Sequence, residues 1–175
     1  AFILVDERHA SHNALIETTK KVMLDYLEAR KSSGDKLAVP GLHCLRSSFA
    51  SINYIPFACG ASAQFRWVGS SLPNNTKVRC EKGCKIYSNP AASGEAVKLM
   101  NKCVQQTVIE SQWQVCSEAY QHMEFLALFV SPHEYAHAVY DLSRDHLKMP
   151  SEPAALLEEP RAELAAVMTL RLLLK

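Results

Sequence analysis

One five-residue segment, His133-Glu134-Tyr135-Ala136-His137, combines residue types that bind a metal ion with one that moves a proton. On an α-helix, residues four apart lie on one face, so both imidazoles can face a single ion. A zinc ion held by neutral imidazoles lowers the pKa of a bound water from 15.7 to roughly 7. The spacing therefore predicts one Zn2+ on His133 and His137, with Glu134 as the base that activates the water.

The residues just before this segment predict where its helix begins. Ser131 suits an N-cap and Pro132 suits the first helical position, so the motif should open a helix. Ser131 and Glu134 also match a capping box, in which the glutamate side chain bonds to the start of its own helix. That structural role competes with the role of Glu134 as a base.

A catalytic zinc site needs a third protein ligand. The metzincin continuation is excluded, because it requires Gly and His where this chain has Tyr140 and Ser143. Asp141 lies one turn beyond His137, and ligands on three consecutive turns of one helix would diverge from a single ion. The remaining source is a glutamate on a following helix, within the acidic segment 157–164.

The combination of HExxH with a glutamate on a second helix resembles the gluzincin metallopeptidases. The run Glu158-Glu159-Pro160-Arg161-Ala162-Glu163 is similar to the Glu-Glu-Cys-Arg-Ala-Glu signature of dipeptidyl peptidase III. The resemblance, which covers residues 133–167, implies that Glu159 is the third zinc ligand and that Glu163 supports a ligand histidine. Because proline tends to start a helix, Pro160 predicts that Glu159 lies at an N-cap.

Hydrolysis of a peptide also needs a hydrogen-bond donor for the developing oxyanion. Tyr140 and His146 are the candidates, and His122 and Arg161 are also chemically able to donate. Nothing in the sequence chooses among these four side chains.

These patterns predict a zinc-dependent hydrolase, most simply a metallopeptidase acting on a peptide. Two alternatives stay open: a degenerate zincin-like domain that binds metal or a partner without catalysis, and a HExxH enzyme whose substrate is a small non-peptide molecule.

The 19 Lys and Arg against 18 Asp and Glu give a net charge of +1, which excludes a strongly basic nucleic-acid-binding protein. No apolar run approaches the roughly 18–20 residues that span a membrane. The oligomeric state is not predicted.

The elements that must position these residues follow from the pattern of apolar residues. Strands are expected at 1–5, Phe49–Ile55, Ala61–Val68, and in a hairpin of Lys77–Cys80 with Lys85–Ser88, after a turn at Leu72–Asn75. Helices are expected at His12–Arg30, at Ser93–Val130, and in segments divided by Pro132 and Pro160. The order predicts an α+β, zincin-like fold with a small mixed sheet and the metal between two C-terminal helices. Gln64–Val68 is the expected edge for pairing with substrate.

The 175 residues suit one domain, with a strand-rich part at 1–90 and a helical part at 91–175. A first residue other than Met, and an end inside a helix-like run, predict a piece of a longer chain. The six cysteines are expected to be buried, reduced thiols, although an even count also permits three disulfides. Cys80 with Cys84 has the spacing of half a zinc site. We expect a cytoplasmic protein, although the six cysteines and the sequon at Asn74 leave a secreted one open.

Overall fold

The computed structural model describes residues 2–5, 7–36, 38–57, 68–73, 75–90, 92, 124, 126–140 and 151–175. These residues form an α+β structure, as predicted. Four strands, β1 (Phe2–Val5), β2 (Phe49–Phe57), β3 (Gly69–Leu72) and β4 (Lys85–Ser88), form a mixed sheet in the order β1-β2-β4-β3. Strands β2 and β4 are parallel, whereas the two outer pairs are antiparallel. Among the described strands, β3 therefore lies at one edge of the sheet.

The described residues also form five helices: α1 (Ala10–Ser32), α2 (Ala38–Ser47), α3 (Thr76–Lys82), α4 (Ser131–Tyr140) and α5 (Ser151–Leu173). A short 3-10 turn, Glu7–His9, leads into α1, and a π-helical segment, Leu126–Val130, leads into α4. The predicted helix His12–Arg30 is confirmed as part of α1. It ends close to Gly34, whose φ of 91° suits a residue without a side chain. None of the described helices combines the length and hydrophobicity that crossing a membrane requires.

The core explains why α4 occupies a fixed position. The apolar stripe of α1 buries Ile16 and Leu27 in the same cluster as Ile52 of β2, Ile86 of β4 and Tyr135 of α4. Burial of each such side chain contributes about 1.5–3 kcal/mol relative to leaving it exposed. Helix α4 packs against α1, α2, α5, β3 and β4. The helix that carries the motif is therefore held from several directions at once.

The predicted hairpin of Lys77–Cys80 with Lys85–Ser88 is wrong in its first half. Residues 76–82 form α3, because Asn75 caps it: its side-chain oxygen accepts a hydrogen bond from the Val78 N–H at 3.1 Å. Gly83 ends the helix with a φ of 75°. Lys85–Ser88 is a strand, but it pairs with β2 and β3.

The predicted N-cap at Ser131 is also wrong, and the alternative of a capping box, which needs that N-cap, is excluded with it. The preceding five residues are already helical, so α4 continues the π-helical segment and does not begin from a loop. The Ser131 hydroxyl donates to the carbonyl of Leu126 at 2.9 Å. Because Pro132 has no N–H to pair with the preceding turn, a wider turn just before it is physically reasonable. The motif itself lies on an α-helix, as predicted.

Pro160 does not start a helix. Helix α5 begins at Ser151, and Pro153 is the proline in its first turn, where a missing N–H costs little. Pro160 lies inside the helix, and Glu159 therefore occupies an interior position and not an N-cap.

Several predictions fall outside the described residues. They are most of the strand Ala61–Val68, with the substrate edge at Gln64–Val68, and the helix Ser93–Val130 as far as residue 123. The described strand β3 begins directly after Val68 and was not predicted. Helix α2 was not predicted either, because its sequence resembles the strand-rich stretch around it.

Candidate metal centre

The two histidines of the motif and one glutamate of α5 point at one another. The Nε2 atoms of His133 and His137 are 3.0 Å apart. Glu159 places Oε2 3.3 Å from Nε2 of His133 and Oε1 3.6 Å from Nε2 of His137. A tetrahedral Zn2+ with bonds of about 2.0–2.1 Å keeps its ligand atoms about 3.3 Å apart. The two imidazole nitrogens lie close to that spacing, and each faces a different oxygen of Glu159. The three residues therefore offer donor atoms of the type and proximity that suit a zinc ion.

Within the described part of the chain, His133, His137 and Glu159 are the group of three potential ligands whose atoms lie within 4.8 Å of one another. The imidazoles are 14% and 13% exposed, whereas the Glu159 side chain is 71% exposed. The histidines are thus fixed by packing, and the glutamate approaches from the solvent side. The candidate site is therefore buried on the side of α4 and open to solvent on the side of Glu159.

Two further carboxylates face the outer nitrogens of the histidines. Glu163 Oε1 is 3.7 Å from Nδ1 of His133, and Glu158 Oε1 is 3.4 Å from Nδ1 of His137. A carboxylate at Nδ1 keeps the proton on that nitrogen and leaves the Nε2 lone pair for a metal. Glu163 is the acid that the resemblance implies as a support for a ligand histidine. At 3.7 Å it forms no hydrogen bond with Nδ1 of His133, so this role stays a prediction. The position of Glu158 beside His137 was not predicted, although Glu158 directly precedes Glu159 in the sequence.

Burial lowers the pKa of His133, the neighbouring His137 lowers it further, and Glu159 opposes both effects. The shift favours the neutral imidazole, which is the form that binds a metal ion. Burial and then the charge of Glu159 raise the pKa of Glu163, an effect that His137 opposes.

Glu134 lies on the side of α4 that faces β3. Its side chain is buried, with 9% of the residue exposed, and burial together with the charge of Glu159 raises its pKa to about 8. Its Oε1 would lie 2.7 Å from a Cβ atom placed on Gly69. The raised pKa favours the protonated carboxyl group at neutral pH in the metal-free protein, so Glu134 can accept a proton only after it has ionised.

The structure does not describe most of the candidate side chains for the oxyanion donor. Tyr140 ends α4, but its side chain lies outside the description, as do His146 and His122. Arg161 is partly buried on α5. The choice of oxyanion donor therefore stays a prediction.

The described residues contain no group of three potential ligands that includes Cys84, which is a buried thiol on the loop before β4. The side chain of Cys80 lies outside the description. A second zinc site at this cysteine pair gains no support from the described residues.

Comparisons with known proteins do not supply a family for this chain. No protein-family model matches it, and it has no significant match to a curated protein or to a solved structure. The resemblance to gluzincins therefore stays a prediction from the two sequence motifs.

The carboxylates at Nδ1 lead to a first prediction. Glu158→Gln and Glu163→Gln should each weaken zinc binding by about 10–100-fold, because each removes the charge that orients a ligand imidazole. Competition with a chromophoric chelator measures the affinity. Glu81→Gln, at an exposed position of α3, is the control and should bind as tightly as the wild type. Unchanged affinity in both α5 variants would show that neither acid supports a ligand.

Proposed function

We propose that this protein is a zinc-dependent hydrolase, most simply a metallopeptidase of the gluzincin type with a zincin-like fold. The observation that carries the proposal is the triangle of residues formed by His133, His137 and Glu159. The two imidazole Nε2 atoms are 3.0 Å apart, and each faces a different oxygen of the glutamate, at 3.3 and 3.6 Å. Two imidazoles and one carboxylate are a ligand set of catalytic zinc sites, which keep a fourth position open. Glu134 beside the triangle supplies the base that such sites use.

Each residue of the site has a separate role in the proposed reaction. Zinc on these ligands would lower the pKa of a bound water to about 7 and polarise a substrate carbonyl. Glu134 accepts the proton that the attacking water loses and returns it to the leaving nitrogen of the substrate. Glu158 and Glu163 place carboxylate oxygens 3.4 and 3.7 Å from the Nδ1 atoms of His137 and His133, where their charge favours a proton on Nδ1. Because α4 is packed on several sides, these groups are in place before substrate arrives.

The position of β3 supports a peptide substrate. Gly69, the first residue of β3, is next to Glu134, and β3 is the outermost of the described strands on that side of the sheet. An extended peptide that pairs with the backbone of β3 would pass beside the proposed base. A small non-peptide substrate would make no use of this edge.

The proposed compartment is the cytoplasm. Cys44 and Cys84 are buried thiols among the described residues. Reduced, buried cysteines are typical of cytosolic proteins, whereas secreted domains with several cysteines usually pair them. The assignment is supported by these two residues alone.

Digestion of an unbiased peptide library, read by mass spectrometry, tests the proposal. Zinc-loaded protein should cleave peptides, a chelator should stop the cleavage, and added Zn2+ should restore it. Tightly bound zinc without cleavage of any peptide would contradict the metallopeptidase and favour the degenerate or small-molecule alternatives. Cleavage that persists without zinc would contradict the metal-dependent mechanism.

A further inference from the structure

Gly69 stands where any side chain would meet the proposed base. A Cβ atom built on it would lie 2.7 Å from Oε1 and 3.0 Å from Cγ of Glu134, and 2.7 Å from Cγ1 of Val130. Two of these distances fall below 3.0 Å, which Cβ atoms in proteins essentially never show. Strand β3 and the helical run 126–140 can therefore pack this closely only because residue 69 has no side chain.

The reason for glycine at this position is space and not backbone conformation. Among the described glycines, a positive φ is found at Gly34 and Gly83, and Gly69 is not one of them. Alanine can therefore adopt the backbone of residue 69 without strain. What alanine cannot do is occupy the volume that the Glu134 side chain already fills.

The two neighbours cannot avoid a new side chain equally well. Val130 is 8% exposed within the core cluster, so its short, branched side chain has little room to move. The carboxyl group of Glu134 is the end of a flexible side chain, and it can turn away while the backbone of α4 stays in place. A methyl group at residue 69 would therefore act mainly on the position of this carboxyl group.

We propose that Gly69 is a positioning residue for Glu134: its missing side chain leaves the space in which the carboxyl group is held beside the metal centre. The proposal rests on the proposed function, because it assigns to β3 a part in placing the base of that reaction. A displacement of about 1 Å at a reacting group can cost about 10²-fold in rate. Zinc binding should be spared, because none of the three proposed ligands meets Gly69 in this contact.

The first test is Gly69→Ala, assayed for zinc content, KM and kcat. We expect one zinc per chain as in the wild type, a KM within a few-fold, and a kcat lower by about 10²-fold. The matched control is Gly41→Ala. Gly41 lies on α2, and a Cβ there would lie 2.8 Å from Val139 Cγ1, on another side of α4. That control should lower thermal stability and leave kcat near the wild-type value.

The second test does not depend on activity. In metal-free protein, Gly69→Ala should lower the unfolding temperature, and the decrease should be smaller by about 2–4 °C when Glu134→Ala is also present. The residual decrease reports the contact with Val130. If Gly69→Ala alone does not fold, the double variant with Val130→Ala, which removes the second close contact, replaces it in both tests.

The outcomes separate this inference from the proposed function. A wild-type protein that binds zinc and cleaves peptides, with Gly69→Ala equally active, would overturn the inference and leave the function intact. Equal losses of kcat in Gly69→Ala and Gly41→Ala would also overturn it, since both would then report general packing. A wild-type protein without turnover contradicts the proposed function, and the unfolding temperatures still decide whether Gly69 and Glu134 are coupled.

Discussion

Replacement of Glu134 by glutamine is expected to lower kcat by about 10²–10⁴-fold while zinc stays bound. Glutamine keeps the shape of the side chain but cannot accept a proton from water. The ligand triangle of His133, His137 and Glu159 is untouched by the change. Steady-state kinetics on a peptide found by library digestion, together with zinc content after dialysis, measures both parts of the prediction.

The control for this variant is Glu17→Gln, an exposed position on α1, which should keep wild-type kinetics. A kcat in Glu134→Gln close to that of the wild type would show that the proton is transferred by another group. Loss of zinc in the same variant would show that Glu134 helps to hold the metal, which the described geometry does not indicate.

Replacement of a ligand is expected to release the metal itself. His133→Ala, His137→Ala and Glu159→Ala should each weaken zinc binding by more than the roughly 10–100-fold that changes at supporting acids cost. Each substitution removes one of the three proposed ligands. Loss of either histidine also leaves Glu163 or Glu158 without the imidazole nitrogen that it faces. Zinc content after extensive dialysis, followed by chelator competition, ranks the variants.

The matched control for the histidines is His43→Ala, because His43 is exposed on α2 and should not affect zinc. The order of the glutamate variants tests the ligand assignment. If Glu163→Ala releases the metal and Glu159→Ala does not, the third ligand is one helical turn away from the position assigned here. If His133→Ala retains stoichiometric zinc, the two histidines are packed side chains and not ligands.

The close approach of the two histidines could be predicted from the sequence, whereas parts of the fold around them could not. The spacing of His133 and His137 depends only on helix geometry, which is local, so their convergence could be foreseen. The approach of Glu159 to the two histidines was implied by a resemblance. Its predicted N-cap position was wrong, because Pro160 was expected to start a helix. In the structure, tertiary packing of α5 on α4 keeps this proline inside a helix.

Other parts of the site depend on contacts that no local pattern encodes. Gly69 touches Glu134 only because β3 pairs with β4 and brings its first residue to α4. Glu158 was overlooked because acids near a helix start are common without any ligand role. The division of the chain near residue 90 stays a prediction, as does the proposed oxyanion donor.

The predicted strand at Lys77–Cys80 was wrong, although Asn75 is a local signal for a helix start. Asn75 followed by a short polar segment is typical of a helix start, but the surrounding β-branched and aromatic residues suggested a hairpin. The strand that follows was found correctly, whereas its partners could not be, because pairing of β4 with β2 and β3 joins distant parts of the chain.

X-ray absorption at the zinc edge, on protein loaded with one equivalent of Zn2+, tests the central claim most directly. The account predicts a first shell of nitrogen and oxygen at about 2.0–2.1 Å, with the scattering pattern of two imidazoles and no sulfur. Because His133→Ala should release the metal, the same amount of Zn2+ added to that variant should give the spectrum of aqueous zinc without imidazole scattering. A sulfur shell at about 2.3 Å would place the ion on cysteines and contradict the account. Zinc that does not bind the wild-type protein at all would contradict it as well.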